Sequence, residues 1–454
     1  MAVVMTTQLH ETYIDNRWTS EFYNPSYKFN PNGKYEWTRI GRLLKKCQYG
    51  LSVQMNESGR GVKIYRLNEI ENCFLNSDAT KYAPVSDREG NDYSLCINDV
   101  LFCRTNGNIN YVGRTGILKD PVNAVFASYL VRSQTNSNYL LPEFLTIYLN
   151  SKFGRKQIVR RAMFSNQVNV SAAELKKIPI PLIDIQVQQC IADMVNQSFE
   201  LKSKGNNLYA RAEQLLEQEL GLDKIKFKNP ISHEATFSEV TDFFRIDGEF
   251  FRPRYKQLRK AIKNYKGGWE PLKLNIQNLS PNFSPSKTPN QAFQYIELAN
   301  INPQIGIANG YKAVLGKEAP SRAKRQVSTG DVIASAVVGS VDKAALISET
   351  ENGSLASTGF FHFRSSTYSP EYLLILLRSP VVTDQLKQQA TGGILSAVPD
   401  GNLRHMVIPV LPVSLQQQIT DLVQESHSSF RESQSLLEQA KKRVEELIEQ
   451  GVSG

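Results

Sequence analysis

The sequence repeats itself. Arg17, Glu21, Phe22, Pro25 and Tyr27 recur as Arg245, Glu249, Phe250, Pro253 and Tyr255, an offset of 228 residues from Arg17 to Arg245. Leu175, Ile180, Pro181, Gln188, Gln189 and Ile191 recur at the same offset as Leu403, Ile408, Pro409, Gln416, Gln417 and Ile419, and Pro142-Glu143 recurs as Pro370-Glu371. In between, the register drifts: Asn98-Asp99-Val100 matches Gly330-Asp331-Val332, and Arg132 matches Arg364, both at an offset of 232. An offset kept at both ends of so long a stretch defines a folding unit, present twice, with small insertions in its middle. The 454 residues suit at least two domains. Duplication alone assigns no activity, but it implies two similar sites.

Each half starts with short alternating runs broken by Gly, Pro and Asn and ends in a long helical pattern. Val62–Leu67, after Gly61, and Asp331–Val338, before Gly339, read as strands. Apolar residues every three or four positions predict helices over Glu143–Ala162 and Pro370–Gln389. Val187, Ile191, Met194, Val195 and Phe199, then Leu208, Ala212, Leu215, Leu216 and Leu220, form a coiled-coil-like seam; Leu415, Ile419, Leu422, Leu437, Ala440, Val444 and Leu447 form its counterpart. Pro181 and Pro409 precede these helices, and Gly221 and Gly451 stand where helices commonly stop. A helix of about 35 residues spans roughly 50 Å, more than one domain core needs. The favoured arrangement packs the two tails on each other as a spacer; the alternative packs each on its own domain.

The chemistry the sequence omits is informative. It has no GxGxxG after a strand, no GxxxxGK[ST], no HExxH, no Asn-Pro-Pro-aromatic run and no Gly-x-Ser-x-Gly elbow. The five histidines are scattered, and Pro399-Asp400 lacks the acidic-x-Lys sequel of a metal-dependent nuclease. The five cysteines, Cys47, Cys73, Cys96, Cys103 and Cys190, all lie in the first half and form no CxxC pair, which fits a reducing cytoplasm. No apolar run reaches about 18 residues, so no membrane span is expected, and the first residues do not read as a signal peptide. The net charge of +9 favours a polyanionic partner and disfavours an acidic mimic of one.

Several loops combine cations, amides and small residues, the set that suits DNA. In the first half they are Lys45, Lys46, Gln48, Tyr49 and Ser52 around Gly50; Arg104, Thr105 and Asn106, followed by Arg114; and Arg160, Arg161, Asn166 and Gln167. In the second they are Ser321, Arg322, Lys324 and Arg325; Ser340 and Lys343; and Gly392 with Gly393. Lysine neutralises phosphates, Arg forks onto guanine, Asn and Gln pair with adenine, and Gly admits a close backbone. Each such loop is also a plausible solvated turn; recurrence in both halves favours the functional reading.

The duplicated layout, the closing motifs Ile178-Pro179-Ile180-Pro181 through Gln188-Gln189 and Val407-Ile408-Pro409 through Gln416-Gln417, and the helical tails together resemble the specificity subunit of type I restriction–modification systems. The first half also resembles the family at Tyr49-Gly50-Leu51-Ser52, Leu101–Asn106 and Val112–Gly116, and the second resembles a different branch at Pro320-Ser321-Arg322-Ala323 with Gly330-Asp331-Val332. Asp184, Gln188 and Gln189 depart from the Pro and Glu-Gln pair of many members, whereas Pro412 is kept. The resemblance implies an α+β chain: two pseudo-symmetric target-recognition domains, each mixed α/β with a short-stranded sheet, joined by two long antiparallel coiled-coil helices. On that expectation residues 1–181 and 223–409 are the recognition domains, and 182–222 and 410–454 the spacer helices. It implies a non-catalytic subunit reading a bipartite site on double-stranded DNA. Its partners would be two methyltransferase subunits and a restriction subunit. S-adenosylmethionine, ATP and Mg would sit on those partners and no cofactor on this chain. A specificity protein of a related phage-defence methylation system remains an alternative, and an orphan nuclease a more distant one.

Overall fold

The computed structural model describes residues 20–27, 35–76, 79–227, 230–390 and 397–452. The chain forms two compact units, one ending at Lys202 and resuming at Arg431, the other Ser203–Phe430. The cuts fall inside the helices Ile185–Glu219 and Val413–Val452.

The first unit is built on a six-stranded sheet. Its order is Leu44–Tyr49, Leu130–Thr135, Val100–Cys103, Thr115–Ile117, Phe74–Leu75 and Ile70–Glu71. Val100–Cys103 is an unbroken apolar run because both faces of the strand are covered. Strand alternation sends Val100 and Phe102 to a core with Phe144, Ile117 and Val131. It sends Leu101 and Cys103 to a second core with Tyr65, Phe126 and Leu130. Ile191 and Val195 of the central helix join the first core with Leu437, Ala440 and Val444 of the C-terminal helix.

The second unit repeats this plan. Gln277–Asn278, Phe360–Arg364, Val332–Ser335 and Ala344–Leu346 adjoin in the order of their counterparts. Val332 and Ala334 enter one core and Ile333 the other. A parallel pair recurs as well, Val62–Tyr65 with Ala124–Phe126 and Ala292–Ile296 with Leu355–Ser357. Each unit is closed by a short antiparallel ribbon that sets a Trp opposite a Pro: Trp37 faces Pro181, and Trp269 faces Pro409.

The repeated residues make repeated contacts. Gln188 Nε2 donates to the Ile183 carbonyl at 2.8 Å and Gln416 Nε2 to that of Leu411 at 2.9 Å, each hooking a long helix to the connection that follows the closing strand. Gln189 and Gln417 each donate to an Asp one turn later, at 2.7 Å. Edge-to-face pairs recur in Phe22–Tyr23 and Phe250–Phe251. The closing motif is therefore a folding device in both units.

Two details differ from expectation. The helices read as Glu143–Ala162 and Pro370–Gln389 are each broken, into Pro142–Asn150 with Lys152–Arg161 and Pro370–Arg378 with Pro380–Gln389. At the breaks the Ser151 and Ser379 hydroxyls donate at 2.7 Å to the carbonyls of Tyr148 and Leu376 and compete with the helical ladder. Pro380 then has no N–H with which to continue. Gly221 stops the central helix in a left-handed conformation, φ 64°, as expected. Gly451, by contrast, lies within the helix that ends at Val452.

Candidate nucleic-acid interface

The turn before each central strand is fixed in the same way. Asn98 and Gly330 have left-handed backbones, φ 71° and 85°. The carboxylates after them, Asp99 and Asp331, accept from the backbone N–H three residues earlier, Cys96 at 2.9 Å and Ser328 at 2.8 Å. Each then grips the arginine of the neighbouring strand: Arg132 Nη1 to Asp99 at 3.3 Å, Arg364 Nε to Asp331 at 2.6 Å. Burial pushes the Asp331 acid up, but hydrogen bonds from His362 (2.6 Å) and Arg364 outweigh it and hold its pKa at about 2. These pairs lock the strands whose ends lead into the candidate loops.

In the first unit the strand Val100–Cys103 runs on through Arg104 into Thr105–Asn106. That short strand pairs with Val168–Asn169, which pairs with Met163–Phe164. Two loops distant in sequence thus share a three-stranded shelf. Thr105 Oγ1 donates to Gln167 Oε1 at 3.2 Å, and Asn106 Oδ1 accepts from Asn108 N at 2.8 Å. Arg104 lies 4.8 Å over the Tyr49 ring and donates to the Ser128 carbonyl at 3.2 Å. The Tyr49 oxygen in turn accepts from Ala172 N at 2.8 Å. Arg114 is exposed and stacks 4.1 Å over Tyr111, which narrows its rotamers. Lys45, Lys46, Ser52, Asn166 and Gln167 are exposed.

Other expected contacts are occupied within the fold. The Gln48 amide accepts from Arg132 and donates to the Asp92 carbonyl. Arg160 Nε donates to the Phe22 carbonyl at 3.0 Å, and in the second unit Gln388 does the same to Phe250 at 3.0 Å. Arg160 is thus an anchor for the segment that begins the unit. Arg161 is buried against Glu174 at 3.2 Å. Gly50 is required by the fold itself, since a Cβ there would meet the Ala127 carbonyl at 2.3 Å.

In the second unit Ser321, Arg322 and Lys324 are exposed where the strand Ala323–Gln326 begins. Alternation turns Ala323 and Arg325 inward, and Arg325 donates to the Leu279 carbonyl. Lys343 Nζ caps the Leu298 carbonyl at 3.0 Å, and Ser340 bonds the Ser335 hydroxyl at 2.9 Å. Gly392 and Gly393 lie outside the described residues.

Local charge completes the site. Residues 37–56, 100–119 and 144–173 contain no Asp or Glu, and they supply all the first-unit candidates. In the second unit 271–296 and 319–330 are likewise free of acids. Counting charge locally, rather than over the chain, would have found these runs. Tyr111 under Arg114, and Met163 and Phe164 on the shelf, are exposed and carry no comparable sequence signal. Among the described residues no cluster of three His, Cys, Asp or Glu is placed to hold a metal, and no helix is long and apolar enough to cross a membrane.

No protein-family profile matches the chain. It is 28% identical over 180 residues to the type I restriction enzyme EcoKI specificity subunit of Escherichia coli K12, covering 38% of this chain and 39% of that protein. It is 28% identical over 170 residues to the putative MjaX specificity subunit of Methanocaldococcus jannaschii (36% and 39%), and 24% over 184 residues to the StySPI specificity subunit of Salmonella potsdam (39% and 40%). The matched stretch thus spans about two-fifths of these relatives. Among solved structures, the type I S subunit from M. genitalium overlaps 93% of this chain and 97% of its own, at 10% identity and a TM-score of 0.43. The HsdS subunit from Thermoanaerobacter tengcongensis overlaps 94% and 99%, at 15% identity and a TM-score of 0.29. By its sequence matches the chain is a relative of the specificity subunits of type I restriction enzymes.

Proposed function

We propose that the chain is the DNA-reading subunit of a type I restriction–modification complex, each unit reading one half of a bipartite site. The observation that carries this is the acid-free shelf of the first unit, where Thr105, Asn106, Asn166, Gln167 and Arg114 stand on or beside one three-stranded sheet. Donors and acceptors of this kind match base edges, and Lys45 and Lys46 match phosphates. The chain itself carries no catalysis on this reading. Two methyltransferase subunits bring S-adenosylmethionine and extrude the target base. A restriction subunit brings ATP and Mg chemistry.

Methylome sequencing of the host with and without the gene gives the site, and binding titrations then use duplexes altered in one half at a time. Arg114→Ala is expected to lose about ten- to hundredfold affinity for one half-site only, as for a lost bidentate contact. Lys45→Ala and Lys46→Ala should weaken all sequences alike, each flattening the salt slope by about one. Equal loss on every duplex for Arg114→Ala places it on the backbone instead.

A further inference from the structure

The strand Met163–Phe164 is the edge of the first unit's shelf. Neighbouring residues of a strand point to opposite faces, yet Met163 is 50% exposed and Phe164 56%. Both faces of this edge are therefore about half open to solvent. An exposed apolar edge strand invites aggregation, and proteins usually blunt one with charge or proline. Here residues 162–173 contain no charged residue and no proline, and the strand carries a thioether and a phenyl ring. The next strand, Val168–Asn169, ties this edge to Thr105–Asn106. Thr105 and Gln167 are hydrogen-bonded across the shelf. The apolar pair thus shares one hydrogen-bonded support with side chains suited to base edges, in sequence runs that contain no carboxylate.

We infer that Met163 and Phe164 form a wedge that enters a base step of duplex DNA and partly unstacks it while the amides beside it read the exposed edges. This rests on the DNA-reading function proposed above and adds a deformation to it. Apolar side chains such as Phe and Met do insert between base steps, and the cost of unstacking is offset by the contacts that the opened duplex allows. Exposed Arg114 and half-buried Arg104 beside the shelf, in a run with no carboxylate of its own, favour a polyanion over an apolar protein groove as occupant.

The test uses the full chain alone, so that no methyltransferase can extrude a base. Duplexes carry the methylome-derived site with 2-aminopurine at successive positions of one half. The wild-type chain should raise the fluorescence at one step. The double variant Met163→Ala/Phe164→Ala should abolish the rise and weaken specific binding about tenfold or more, in line with the loss of aromatic stacking, with the salt slope unchanged. Phe164→Trp, which keeps a stacking ring, should retain the rise. Both residues are exposed, so the thermal midpoint should not move. A double variant that binds and unstacks DNA as the wild type does overturns the wedge and leaves the reading function standing. So does one that binds DNA normally but no longer co-purifies with a methyltransferase subunit, which makes this edge a protein contact. A wild-type chain with no preference for its site over a scrambled duplex overturns both.

Discussion

Asp331 is fully buried and yet ionised, because His362 and Arg364 both donate to it. Its folded pKa of about 2 lies below the ordinary 3.8, so the stability it confers is present above the unfolded value and lost as pH falls toward 2. The shift corresponds to on the order of 2 kcal/mol near neutral pH. Asp331→Asn should therefore destabilise the chain at pH 7 by roughly 3 kcal/mol, since removing one partner strands a buried polar group. The gap to wild type should narrow by about 2 kcal/mol on approaching pH 2. Urea unfolding across that pH range measures both, and a gap independent of pH would remove the carboxylate from the account. In the sequence Asp331 stood out through its repeat match with Asp99, and Arg364 through its own match with Arg132, with nothing to say that the two pair. Its role needed the third partner, His362, which has no counterpart at the matching position of the first half, Leu130.

At the scale of elements, the long helices were the most legible. Their three-and-four spacing, Gly221 and the proline before each gave type and approximate ends from local rules alone. The break at Ser151 was not legible, because a serine inside an apolar pattern reads as neutral until its hydroxyl is seen to take a carbonyl, whereas the break at Ser379 was signalled by the Pro380 that follows it. Loop function was less legible still. Arg160 and Arg161 look like a cationic surface in sequence, but a segment more than a hundred residues earlier places Phe22 against both. In the second unit Gly205 of the central helix receives the Ser426 hydroxyl on its carbonyl at 2.7 Å, and a Cβ there would lie 3.0 Å from the Ser426 carbonyl oxygen. In the first unit Ser198 and Ser433 exchange the equivalent bonds, each hydroxyl donating to the other's carbonyl at 2.9 and 2.7 Å. Gly205→Leu should force this contact apart and lower stability by about 1–3 kcal/mol despite leucine's better helix propensity. Thermal unfolding monitored by circular dichroism tests it; a stabilised variant would show that the seam has slack.

For the whole molecule, the proposed function makes helix length a measured quantity. The helices hold 35 and 40 residues. Adding about four residues, one turn of roughly 5.4 Å, to both should lengthen the unread gap between half-sites by one or two base pairs, given about 3.4 Å per pair along the duplex. Methylation mapping reads the gap directly, and an unchanged gap dissociates helix length from site spacing. The acid-free runs have a cost that operates before any ligand arrives. Lys119, Lys152 and Arg161 of these runs are matched by Glu143, Glu445 and Glu174 from outside them, but the exposed neighbours Lys45 and Lys46 have no carboxylate partner among the described residues, and the folded chain holds their repulsion as work. A polyanion laid across them returns it. On the proposed function, part of the binding free energy is therefore recovered folding stability, and the chain is least stable without its DNA.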